Sequence, residues 1–190
     1  MPESAIFEAW SRDHRNFSHL LDLLEVEIER FLEDQTPRYD FMLDILYYMT
    51  RYPDIFHHPK EDLVAARVKQ LDPGAGEVVD GLMQQHMVLR DSGTKLIELL
   101  ETIVDGGMLK RESVNAPART YIAYFRSHMK QEETDILPLM RRLLNKDDWA
   151  AIEKAAPFRE DPLFGNGMLE KRYEALHQHI VREAGSPGAL

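Results

Sequence analysis

The chain has 190 residues, no cysteine, eight histidines and a formal net charge of −10, from 23 Lys and Arg against 33 Asp and Glu. The missing thiols exclude disulfide frameworks, zinc ribbons, cysteine nucleophiles and cysteine-held iron–sulfur clusters, and an acidic balance without any basic block argues against a nucleic-acid partner. No apolar run approaches the ~18–20 residues that span a bilayer, and the first ten residues lack a basic-then-apolar leader pattern, so a soluble, cytoplasmic protein without a membrane partner is expected.

Helical periodicity runs through almost the whole chain. Phe7, Trp10, Phe17, Leu21, Leu24, Ile28 and Phe31 follow alternating steps of three and four, with one member missing after Trp10, and predict a first helix. Asp34-Gln35-Thr36-Pro37 reads as a turn. A second helical stretch runs from about Tyr39 to Leu71, disturbed by Pro53 and Pro59, and Asp72-Pro73-Gly74-Ala75-Gly76 breaks it. A third carries Val79, Leu82, Leu89, Leu96, Leu100 and Ile103 and stops at Gly106-Gly107. The fourth is expected to open at Asn115-Ala116-Pro117, with Asn as cap and Pro in the first turn. It carries Tyr121, Phe125, Ile136, Leu139 and Leu143, with a kink at Pro138. Beyond it, Asp147-Asp148 should cap a short helix through Lys154, Phe158 to Gly167 reads as irregular, and Met168 to Arg182 as one further helix.

The expected fold is all-α: an antiparallel up-down-up-down four-helix bundle over residues 1–145, with a C-terminal helical extension, 146–190, packed on the same domain. Phe158, Leu163 and Phe164 in that extension are expected either to cover the bundle or to form a homodimer contact.

Four histidines interrupt the apolar stripes, one per helix. His14 fills the gap between Trp10 and Phe17, His86 lies between Leu82 and Leu89, His128 follows Phe125 by three, and His57 leads a run of Glu61, Val64 and Val68. Glu61 is four after His57 and Glu132 four after His128, so each pair shares a helix face. Burying two carboxylates among imidazoles is costly unless a cation neutralises them, and mixed His and carboxylate donors suit iron or manganese. With turns centred near residues 36, 73 and 108, candidate groups on successive helices stand nearly equidistant from the turn between them. At ~1.5 Å rise per residue, an antiparallel bundle brings all six to one level. A metal site is the reading that satisfies all of them.

One His on the first helix, H57-H-P-K-E61 on the second, one His on the third and H128-M-K-Q-E132 on the fourth resemble the hemerythrin-like (HHE cation-binding) family over roughly residues 5 to 145. The resemblance implies a non-haem pair of iron ions, oxo- or hydroxo-bridged and carboxylate-bridged. Glu61 and Glu132 would bridge, His14, His57, His86 and His128 would hold the irons from the sides, and manganese or zinc would be substitutes. The chain departs from oxygen-carrying hemerythrins at Arg90, where they place a second histidine on the third helix. It departs again at Glu132-Glu133, where they use His-x-x-x-x-Asp. Its four-His, two-Glu set is more similar to bacterial iron-centre repair proteins, which carry cysteines this chain lacks.

These features lead to the expectation of a protein that binds or reacts with small oxidants (O2, hydrogen peroxide or nitric oxide) in oxidative or nitrosative stress defence. With no flavin or nicotinamide fingerprint, electrons would come from an external donor. A sensor or carrier without turnover, or an iron store or donor, is the alternative. Glu133 rivals Glu132, and His58 rivals His57, although an adjacent residue points ~100° away on a helix. Asp13 is a candidate to orient a ligand imidazole. Tyr121 and Tyr124 are read mainly as core, with Tyr47, Tyr48 and Tyr52 as weaker site candidates. Gly93 either opens a channel or allows close packing. His19, His177 and His179 are read as bystanders, the last two solvated.

Overall fold

A computed structural model of the chain describes residues 3–33, 35–157, 159–165 and 171–183. Asp34, Phe158, residues 166–170 with Met168 and Gly167, the tail from 184 and the side chain of Phe31 lie outside the described residues. Those described form helices and turns with no strand among them. Helices α1 (Glu3–Leu32), α2 (Tyr39–Met49), α3 (His58–Leu71), α4 (Gly76–Val104), α5 (Glu112–Gln131), α6 (Leu137–Leu143), α7 (Lys146–Ala155) and α8 (Glu174–Glu183) follow in order. α4 packs on α2, α3 and α5, and α1 on α2 and α5, an arrangement consistent with a four-helix bundle. No described helix is long and apolar enough to cross a membrane.

Two π-helical segments, Pro53–His57 before α3 and Glu132–Ile136 before α6, separate these helices. Each is followed, two residues on, by a proline: Pro59 and Pro138. A proline has no N–H for the carbonyl four residues back, and its ring crowds that carbonyl. The chain widens instead, so that His58 N bonds to Pro53 O and Leu137 N to Glu132 O. The distortion expected at Pro138 therefore takes the form of a π segment one turn earlier. α2 ends before this point because Pro53 cannot donate to Met49; Thr50 closes the end through its hydroxyl, 2.8 Å from Leu46 O.

Two boundaries differ from expectation. α5 begins at Glu112, so Asn115 and Pro117 lie inside the helix rather than at its cap and first turn. α7 is capped by Asn145, whose side chain accepts from Asp147 N and Asp148 N while Asp148 returns a bond to Asn145 N. Among the described residues a 3-10 turn over Lys171–Tyr173 leads into α8, and the expected helix start at Met168 lies outside them. The α4–α5 connection turns at Gly106, whose φ of 89° is open to glycine at no steric cost.

Apolar residues divide into two clusters. One holds Ile6, Phe7, Trp10, Val64, Val68, Val79, Leu82, Ile136, Met140 and Trp149. The other holds Phe17, Leu20, Tyr48, Leu89, Leu96, Tyr121 and Phe125. On α1 the switch between them falls at His14, and on α4 at His86. Along α5 and the π segment it falls at His128 and Glu132. A polar layer thus separates two greasy ones. Each ion in it forfeits several kcal/mol of solvation, which the clusters above and below must offset at about 1.5–3 kcal/mol per fully buried large apolar side chain.

The C-terminal segment contributes to the second cluster. Leu163, Tyr173, Leu176 and Ile180 are buried in it, Phe164 packs 5.8 Å from the Tyr48 ring, and α8 lies on α2. Leu163 and Phe164 therefore cover the bundle. His177 and His179 are half-buried rather than solvated: His177 Nδ1 donates to Leu163 O at 3.1 Å, and His179 packs on the Phe41 ring at 4.4 Å.

Candidate metal centre

The polar layer brings His14, His57, Glu61, His86, His128 and Glu132 together, all buried. Candidate donor atoms fall into two groups whose members lie within 4.8 Å of one another: His14, His57, Glu61 and Glu132, and His58, Glu61, His86 and His128. Glu61 belongs to both. Glu132 also spans them, with Oε2 3.2 Å from His14 Nε2 and Oε1 3.2 Å from His128 Nε2 and 3.4 Å from His86 Nε2. Glu61 Oε1 lies 3.0 Å from His57 Nε2, and its Oε2 lies 3.6 Å from His86 Nε2.

His58, set aside on the ~100° argument, stands in the second group beside His57 in the first. Glu61 is four residues after His57 but three after His58, and both spacings share a helix face. The π segment ending at His57 further reorients the two rings. The His58 ring stacks on His86 with centroids 4.2 Å apart.

Each imidazole is held by its other nitrogen. Nδ1 donates to Asp13 in His57 (3.0 Å), Asp54 in His58 (3.0 Å), Asp62 in His86 (2.8 Å), Gln85 Oε1 in His128 (3.0 Å) and Glu133 in His14 (2.9 Å). This fixes the tautomer and turns every Nε2 inward. Glu133, the rival of Glu132, is 53% exposed at its side chain and orients His14 from outside. Asp13 takes the orienting position that its place on α1 suggested. Asp54, Asp62 and Gln85 carried no such signal: Gln85 neighbours His86 in sequence but serves His128.

The electrostatics are those of a site short of positive charge. Burial, aided by Glu132, raises the Glu61 pKa above the ordinary carboxylate range. Burial acts the same way on Glu132, but the His14, His86 and His128 imidazoles beside it outweigh burial and hold that carboxyl well below the range. Burial and the neighbouring imidazoles depress His58 well below the usual histidine value, and burial takes His128 down to about 4. Both are thus neutral at pH 7, the form that donates a lone pair. Nε2 of His14, His58 and His128 and Oε2 of Glu61 and Glu132 are buried without a hydrogen-bond partner. Such orphans are rare in native interiors, and converging donor atoms of this kind fit a cation.

The remaining candidates are structural. Tyr121 is buried in the core and Tyr124 packs against it. Tyr52 stacks on Tyr48, 5.5 Å apart, with its hydroxyl 3.5 Å from Asp13. A Cβ at Gly93 would fall 2.5 Å from Thr50 Cγ2 and 3.2 Å from Tyr121 Cε2, so this glycine serves close packing of α4 on its neighbours. A cavity of about 30 Å³ lies against Asp13 and His57, lined also by Trp10, Tyr52 and Phe56.

No curated protein and no solved structure matches the chain. The model of the hemerythrin HHE cation-binding domain matches residues 5–140, the stretch that carries every histidine and carboxylate of the polar layer. The chain belongs to the hemerythrin HHE cation-binding domain family.

Proposed function

We propose that the chain holds two iron ions and uses them on a small oxidant: O2, hydrogen peroxide or nitric oxide. His14 and His57 would hold one ion, His58, His86 and His128 the other, and Glu61 and Glu132 would be shared between them. The observation that carries this reading is the convergence of five Nε2 atoms on two shared, buried carboxylates, every ring fixed through its Nδ1. The framework in this reading is an up-down-up-down bundle over residues 1–145 with 146–190 as an extension of the same domain.

Iron in such a pair supplies electrons to the bound oxidant. The protein's part is positional and electrostatic. Glu61 and Glu132 offset cationic charge in a layer closed to bulk water by the two apolar clusters. The His14–His57 side offers one imidazole fewer than the other and adjoins the 30 Å³ cavity, which has room for a water-sized ligand. The small oxidant is expected there. Cytoplasmic stress defence is the setting that suits this chemistry.

Anaerobic reconstitution with ferrous iron, followed by titration with O2, nitric oxide or peroxide under absorption spectroscopy, tests the reading. Two metals per chain and oxidant-dependent bands are expected. Reversible oxygenation would favour a carrier or sensor, and sustained gas evolution from peroxide an enzyme. Failure to bind a pair of metals, or unchanged binding in His86→Ala/Glu132→Ala, would sink the proposal.

A further inference from the structure

The exposed face formed by α1, α5 and α6 has the opposite electrostatic character to the chain as a whole. Arg15, His19, Arg126 and Lys130 line one open groove, and Arg12, Arg15 and Arg141 line the adjoining one. Carboxylates are present too: Asp22 and Glu25 both bond Arg126, at 2.6 and 2.8 Å, Glu133 lies 2.9 Å from His14, and Glu8 makes no ion pair among the described residues, so the positive excess of the face rests on Arg12, Arg15, Lys130 and Arg141. Arg12, Arg15, Lys130 and Arg141 make no ion pair among the described residues; Arg141 lies instead over the Phe7 ring, 4.4 Å from its centroid. In a protein of net charge −10, an acidic partner is repelled elsewhere and drawn to this face.

The face also reaches the polar layer. His14 itself lines the first groove, and Glu133, half in solvent, connects its Nδ1 to the groove floor. We propose that this basic face docks the carboxylate-bearing surface of a one-electron donor protein. The proposal rests on the di-iron reading above, in which reducing equivalents come from outside. Each electron delivered reduces one ferric ion to ferrous and oxidises the donor by one electron. The grooves are shallow and shared between three helices, which suits a protein surface better than one small anion.

The test begins on metal-free, isotopically labelled protein, so it does not depend on iron. Tris(oxalato)chromate(III), a paramagnetic trianion, should broaden amide signals across residues 12–22 and 126–133, and hexaamminechromium(III) should not. An acidic [2Fe–2S] ferredoxin should shift the same amides. Both effects should vanish in Arg15→Glu/Lys130→Glu, two exposed positions whose change leaves the helical circular dichroism intact. In iron-loaded protein, reduction by the ferredoxin should be at least about tenfold slower in that variant at low salt. Scattered broadening, or shifts that persist in the variant, would overturn the docking face. If the trianion binds here but ferredoxin neither shifts the amides nor loses rate, the face is a small-anion site and the proposal fails. If iron does not bind while the amide shifts occur, the di-iron reading fails and the docking face stands.

Discussion

Asp13 Oδ2 lies 3.0 Å from Nδ1 of His57, joining α1 to the π segment across 44 positions of sequence. The contact does more than tie two helices together. It holds His57 Nδ1 against a carboxylate and leaves Nε2 facing Glu61. Glu133, Asp54, Asp62 and Gln85 do the same for the other four rings, so five outer oxygens set the geometry of one layer.

Replacing Asp13 by Ala should therefore weaken metal binding without dismantling the fold. Loss of such an orienting partner typically lowers affinity about 10–100-fold. Competition with a chromophoric chelator measures it. Asp13→Asn keeps an acceptor for Nδ1–H and should fall between the two.

His58→Ala discriminates between the two readings of the H57-H-P-K-E61 segment. If His58 Nε2 is a donor, as its buried and unpartnered position suggests, metal content should fall from two per chain toward one. Full loading in this variant, by elemental analysis, would return His58 to a structural role.

Metal and fold should be linked. A cation that binds only the native state stabilises it by about 2.7 kcal/mol at one hundred times its dissociation constant. Removing it with a chelator should lower the thermal midpoint by several degrees. The same chelator should leave His86→Ala/Glu132→Ala unmoved in a parallel melt.

Gly93→Ala should destabilise the bundle through overpacking, by about 1–3 kcal/mol, because its Cβ would meet Thr50 Cγ2 at 2.5 Å. Thr50→Ser removes that methyl. The double variant should recover part of the loss, and a coupling energy in denaturant unfolding checks the contact.

Asp161, which is not among the candidate metal donors, offers a pH test. Burial raises its pKa, even though it accepts from Phe164 N, Leu163 N and the Tyr48 hydroxyl. A group whose folded pKa exceeds its unfolded one contributes stability that is fully present below the unfolded value and lost as pH rises through the folded value. Relative to Asp161→Asn, which keeps an acceptor oxygen, the native protein should thus lose stability as pH rises above about 4, the ordinary aspartate value. Thermal melts of the two proteins at several pH values measure the difference.

The sequence was informative where periodicity and chemistry coincide. His14, His86 and His128 each stand at a stripe position where a leucine or phenylalanine would otherwise fall. Their equal distances from the turns could be read without coordinates, because helix rise is constant. The start of α5 was less legible, since Asn115 and Pro117 imitate an N-terminus three residues inside the true one. His58 was set aside as the rival of His57 for a related reason: a regular helix separates neighbours by ~100°, and the chain departs from regularity there. The signal was present in Pro59, whose missing N–H favours the π segment, as Pro138 does before α6.

Sequence alone thus determined the helical class, the level of the polar layer and six of the seven side chains in it, because all of these follow from fixed rise, fixed periodicity and the expense of buried charge. Tertiary structure decided what spacing along one helix does not encode. It placed His58 opposite His57 around a shared Glu61, and gave each Nδ1 a carboxylate or amide from Asp13, Asp54, Asp62, Gln85 or Glu133. It also gathered Arg12, Arg15, Lys130 and Arg141 into one face. Several of these partners come from different helices, and their meeting depends on crossing geometry and local helix widening, which no one-dimensional period carries.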